Sequence, residues 1–129
     1  MISKRDCLNI LQSDGNWWEY YAQAILVKKN RSGNRIRLNT LLNAKSGLCA
    51  EDCGYCSQAK GSKSNIERYG LLPKNQIIRQ AIIAKRNNSS VFCIALSGTR
   101  PTDKEISILC DVISEIKRII LLKFVYLLV

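Results

Sequence analysis

"SVFCIALSGTRPTDKEISILCDVISEIKR", residues Ser90 to Arg118, carries two hydrophobic periods in succession. Ser90 to Gly98 is a short apolar run ended by a Ser-Gly turn, the pattern of a buried strand. The residues beyond that turn have a helical period. Thr102 is placed to cap, Glu105 completes a capping box, and Ile106, Leu109, Cys110 and Ile113 form one apolar stripe. A strand running into an amphipathic helix is one half of a parallel β–α repeat.

The same order recurs on either side. Upstream, "IRLNTLLN" (Ile36 to Asn43) has the length and apolar content of a strand, although Asn39 and Thr40 weaken the pattern. Between Pro73 and Arg86, Ile77, Ile78, Ala81 and Ile82 share a helical face, and Pro73 suits a helix start. Downstream, "IILLKFVYLLV" (Ile119 to Val129) reads as a third strand. The expectation is an α/β fold of about two and a half βα units across residues 35–129. Such a piece does not close a barrel, and its apolar last strand leaves a hydrophobic edge. Residues 1–34 form a separate helical segment. There Trp17, Tyr21, Ala24 and Ile25 fall at helical spacing behind a cap at Asp14, and both tryptophans are expected in a core.

Composition narrows the classes. A chain of 129 residues is the size of one modest domain, and a hydrophobic fraction of 47% excludes general disorder. The net charge of +10 is spread along the chain rather than collected into a block, so the expectation is a solvated basic surface and no nucleic acid. The start "MISKRDCLNI" lacks a signal-peptide core, and the apolar tail, interrupted by Lys123, is too short to span a bilayer. The expected home is the cytoplasm, with no membrane partner. Six cysteines could make three disulfides, but in a reducing compartment a tight cysteine cluster is better read as metal-binding or catalytic.

Three of the six lie in "GLCAEDCGYCSQ", Gly47 to Gln58. Cys49, Cys53 and Cys56 form C-x3-C-x2-C within a loop, residues 47–61, punctuated by Gly47, Gly54 and Gly61. Thiolates suit zinc or iron–sulfur clusters. A structural zinc site takes four ligands; with no histidine in the chain, the fourth would have to be Cys7, Cys93 or Cys110. A cubane cluster can be held by three cysteines with one iron left open, and Gly54 lets the backbone approach bulky sulfides. Spacing alone leaves cluster, zinc and free thiols open. Glu51 and Asp52, between the ligands, read as solvated loop charges, Cys110 as core and Cys7 as incidental.

C-x3-C-x2-C with an aromatic before the last cysteine, here Tyr55, resembles the signature of radical S-adenosyl-L-methionine enzymes. The wider "RLNTLLNAKSGLCAEDCGYCSQAKGSKSNIERYGLL" and the later "FCIALSGTRPTDKEI" resemble the biotin synthase family, a likeness running from about Leu8 to Lys117. The resemblance implies that Cys49, Cys53 and Cys56 bind a [4Fe–4S] cluster whose open iron chelates S-adenosyl-L-methionine. It implies that Tyr55 helps position the adenosyl part and that Cys93 is a ligand of a [2Fe–2S] cluster. The implied reaction uses a 5′-deoxyadenosyl radical to insert sulfur into dethiobiotin, forming biotin. No side chain here is assigned as a catalytic acid, base or nucleophile, since breaking an unactivated C–H bond falls to the cofactor. A flavodoxin or ferredoxin as electron donor and a homodimer are likewise implied.

Family members are much longer and form a complete TIM-type (β/α)8 barrel, with working loops after the C-terminal ends of the strands. The expectation is therefore the N-terminal part of such a barrel. Family likeness gives way to an unrelated apolar tail between Arg118 and Lys123, as a truncation or frameshift would produce, and little activity is expected of the chain alone. The alternatives are a zinc-binding interaction module or an inert remnant that does not fold.

Overall fold

The computed structural model describes residues 3–13, 15, 17–47, 49–120 and 124–128, with side chains as far as Ile120. The chain divides into two compact units, Met1–Ile36 and Arg37–Val129.

The first unit holds helices α1 (Lys4–Gln12) and α2 (Trp17–Ser32). Ser3 starts α1 with a capping box. Its Oγ accepts the Asp6 N–H at 3.1 Å, while Asp6 Oδ2 accepts the Ser3 N–H at 2.8 Å. The Ser3 hydroxyl, which donates to Asp6 Oδ2 at 2.6 Å, and then the Ser3 N–H hold the Asp6 carboxyl below the ordinary carboxylate range. The helical pattern is thus broken around Gly15, and the cap expected at Asp14 lies outside the described residues. Neither helix has a buried residue, so the expected core placement of the tryptophans is corrected. Trp17 is 50% and Trp18 62% exposed. Their rings stack on each other at 4.1 Å, with Tyr21 edge-on to both. A unit this short offers too little apolar surface to enclose a ring, so the aromatics cover one another.

The second unit runs β1 (Asn39–Lys45), α3 (Lys74–Arg86), β2 (Val91–Leu96), α4 (Asp103–Ile119) and β3 (Phe124–Leu128). The strands form one parallel sheet in the order β1-β2-β3. The unit is therefore α/β, two βα units followed by a strand. The first strand starts three residues later than its apolar content suggests. Asn39 pairs with Val91 and Thr40 with Phe92, and the Thr40 hydroxyl meets that of Ser89 at 2.7 Å. The polar residues that weaken the strand pattern are accommodated at its start, while Ile36 lies outside it, exposed.

Strand alternation sorts the sheet into two faces. Phe92, Ile94 and Leu96 are buried against Ile77, Ala81 and Ala84 of α3 and Leu109, Val112 and Ile116 of α4, with Ala44 from β1. Each large side chain so enclosed stabilises the unit by about 1.5–3 kcal/mol. The opposite face carries Leu41, exposed, with Asn43, Cys93 and Ala95 half-buried. The helices α3 and α4 therefore cover one face, and Cys93 stands on the other.

Helix ends follow local chemistry. Thr102 and Glu105 form the expected capping box. Past α3, Asn88 adopts φ 59°, and the N–H groups of Asn88 and Ser89 return to the carbonyls of Lys85 and Ala84, a Schellman end. The stripe of α4 is rotated from the one its sequence suggests: Leu109, Val112 and Ile116 are buried, and Cys110 is exposed. At about 100° per residue, Cys110 stands a quarter-turn or more from the buried Leu109–Ile116 line. The core reading of Cys110 is thereby corrected.

Candidate iron–sulfur loop

The cysteine segment leaves the C-terminal end of β1, and its two ends are tied together. The Ser46 Oγ–H donates to Gln58 Oε1 at 3.2 Å, and the Gly47 N–H donates to the same oxygen. Arg68 Nη1 donates to the Gly47 carbonyl at 2.6 Å. Both polar groups of Gly47 are thus held by side chains from farther along the chain. Gly47 is buried and sits at φ +68°, the left-handed region that favours glycine, with Arg68 filling the space a Cβ would take.

An isolated antiparallel bridge to the returning segment anchors the base of the loop. Ser46 and Tyr69 exchange backbone hydrogen bonds at 3.0 Å, and the Tyr69 hydroxyl donates to the Asn43 carbonyl at 2.8 Å. Lys45 pairs with Glu105 at 2.8 Å, joining the end of β1 to the first turn of α4. That hydrogen bond, with the Thr102 N–H, pulls the Glu105 carboxyl down to about 2. Within the loop, the Cys56 N–H donates to the Cys53 carbonyl, Ala59 N–H to Cys56, and Lys60 N–H to Glu51, all between 2.9 and 3.2 Å. Ala59, 3% exposed, is its buried anchor.

The cysteines sit at different depths. Cys49 and Cys56 are half-buried and Cys53 is exposed. Cys53 and Cys56 line one cavity of about 360 Å³, formed by residues 52–57, 59 and 61–64, which Cys49 does not border. Tyr55 also lines it and is 98% exposed. Cys93 belongs to β2, paired in register with Leu41 and Tyr126 rather than with the loop. All six cysteines are free thiols. Among the described residues, no three His, Cys, Asp or Glu side chains are grouped around a point that one metal ion would occupy. The donor set, three thiols on one loop and no histidine, fits an iron–sulfur cluster, which distributes its thiolates over separate irons.

Several residues with a part in the loop carry no advance signal in the sequence. Gln58 and Arg68 belong to no periodic pattern, and their partners are backbone atoms that only the folded chain brings near. Glu51, exposed as its reading as a solvated charge expects, also accepts the Thr99 hydroxyl at 2.7 Å, linking the loop to the turn after β2. Asp52 remains exposed.

No family model matches the chain. It is 59% identical over 117 residues to a biotin synthase of Streptococcus agalactiae, an alignment spanning 91% of this chain and 36% of that protein. It is 40% identical over 117 residues to a biotin synthase of Bacillus cytotoxicus, covering 90% and 35%. A biotin synthase of Bacillus cereus is 39% identical over 118 residues, covering 91% and 36%. The chain spans a little over a third of the length of the curated relatives it matches.

Proposed function

We propose, on the premise that the chain belongs to the biotin synthase family, that the loop of residues 47–61 is a seat for a [4Fe–4S] cluster held by Cys49, Cys53 and Cys56. The observation that carries this reading is the position of three free thiols, eight residues from first to last, on a pinned loop at the C-terminal end of a parallel strand. That is the end at which β/α barrels carry their working loops. The same premise supports the wider assignment: the start of a (β/α)8 barrel, and by descent a cytoplasmic sulfurtransferase that converts dethiobiotin to biotin. Flavodoxin or ferredoxin as electron donor and a homodimer belong to that assignment.

When bound, the reduced cluster supplies the electron that cleaves the sulfonium of S-adenosyl-L-methionine. The chain's own work is positional. Cys49, Cys53 and Cys56 would hold the irons as thiolates, and Tyr55, at the cavity that Cys53 and Cys56 line, would flank the adenosyl group. Cys93 stands on the sheet face that α3 and α4 leave uncovered, the face turned inward in a closed barrel, and is the proposed ligand toward a [2Fe–2S] cluster. No helix among the described residues is long and apolar enough to cross a membrane.

Anaerobic reconstitution with iron and sulfide tests the reading. About four irons and four sulfides per chain are expected, with a reduced-state spectrum that changes on adding S-adenosyl-L-methionine. Replacing Cys49, Cys53 and Cys56 together by alanine should abolish uptake. Stoichiometric zinc without iron uptake, or uptake indifferent to the three substitutions, would refute it.

A further inference from the structure

We infer that Gln58 and Arg68 are positioning residues that lock the cysteine loop into a single conformation before any metal arrives. The inference rests on the reading of residues 47–61 as a cluster seat. Gln58 Oε1 receives two donors, the Gly47 N–H and the Ser46 hydroxyl, from the residues just before Cys49. Gln58 itself follows Cys56 by two positions. One side-chain oxygen therefore closes the segment that contains all three thiols. Arg68 secures the remaining polar group of Gly47 through a charge-assisted bond to its carbonyl. Gly47 and Ser46 are buried and Gln58 is half-buried, so water does not readily replace these partners.

The physical consequence is pre-organisation. A loop that must be ordered at the moment of ligation loses backbone entropy for each residue fixed, which weakens binding. A loop already closed at both ends has met that cost on folding. Neither residue is a ligand, and neither needs to touch the cluster. The acceptor oxygen at position 58 is the essential feature, so Gln58→Glu should keep the lock and Gln58→Ala should open it.

Hydrogen–deuterium exchange on the full metal-free chain provides a readout independent of the cluster. In Gln58→Ala, the peptide covering residues 47–57 should exchange about tenfold faster, as expected for losing a buried acceptor with two donors. Residues 91–96 of β2 should be unchanged, and Gln58→Glu should restore protection. Arg68→Ala should accelerate the same peptide, and Arg68→Lys should recover only part, because it loses the planar fork. After reconstitution, release of iron to a chelator should be faster in both alanine variants, following the exchange order. Equal loop exchange in wild type and both alanine variants overturns the inference, whether or not iron binds. Faster loop exchange with a wild-type chain that takes up no iron upholds the lock and refutes the cluster seat. Faster exchange of β2 to the same degree would mean general unfolding and would also overturn it.

Discussion

Replacing Gly47 by alanine should destabilise the second unit by about 2–3 kcal/mol. Gly47 sits at φ +68°, and a Cβ there would stand 2.6 Å from Cγ of Arg68. The left-handed backbone costs a residue with a Cβ roughly 1–2 kcal/mol. The collision is with a flexible side chain, so Arg68 moves aside, but it then gives up its 2.6 Å bond to the Gly47 carbonyl. That loss is worth about 1 kcal/mol at a partly exposed site. Gly54 is the internal control: nothing lies within 4 Å of a Cβ built on it and its φ is not left-handed, so Gly54→Ala in the metal-free chain should stay within about 0.5 kcal/mol of wild type. Urea unfolding followed by far-ultraviolet circular dichroism measures all three proteins. A double-mutant cycle sharpens the assignment. If the Arg68 bond is already lost in Gly47→Ala, then Gly47→Ala with Arg68→Ala should be no less stable than Gly47→Ala alone. Strictly additive costs, or a Gly47→Ala variant as stable as Gly54→Ala, would refute the reasoning.

Other contacts carry their own consequences. Because Lys45 and the Thr102 N–H hold the Glu105 carboxyl at about 2, below its ordinary 4.5, the stabilisation is complete above about pH 4.5 and is lost as pH falls toward 2. Wild type should therefore lose about 1–2 kcal/mol more than Glu105→Gln across that window, read from urea melts at successive pH values. Phe92→Ala, which empties a fully buried position between the sheet and both helices, should cost about 3–5 kcal/mol by the same melts. Cys110→Ser, on the exposed side of α4, should change stability by less than about 0.5 kcal/mol; a larger loss would mean that its thiol is packed. Thr102→Ala should lower the melting midpoint by the equivalent of about 1 kcal/mol, since its hydroxyl caps the Glu105 N–H.

Local chemistry made much of this protein legible in advance. The strand at β2, the capping box at Thr102 and Glu105, and the apolar face of α3 each depend on residues within a turn or two of one another, so their pattern survives in one dimension. The cysteine spacing is likewise local, and with its flanks it carries the likeness to biotin synthases. The rotation of α4 is different: Ile106, Leu109, Cys110 and Ile113 make a plausible stripe, but Phe92 and Ile94 on the sheet select Leu109, Val112 and Ile116 instead. Which side of a helix is buried depends on what packs against it. The tryptophans of α2 obey the same rule in reverse, spaced for a core that their own short unit cannot supply.

The amino-acid order by itself determined the succession of strands and helices, the loop that bears the thiols, and the likeness to biotin synthases that they carry. Tertiary structure alone decided which face of the sheet Cys93 occupies, and that Glu51 is tied to Thr99. It alone decided that Gln58 and Arg68 hold Gly47 from 11 and 21 residues away. The reason is physical. Periodicity and capping act between neighbours in the chain, whereas a side chain that bonds a distant peptide group obeys no spacing, and its partner exists only once the loop has closed.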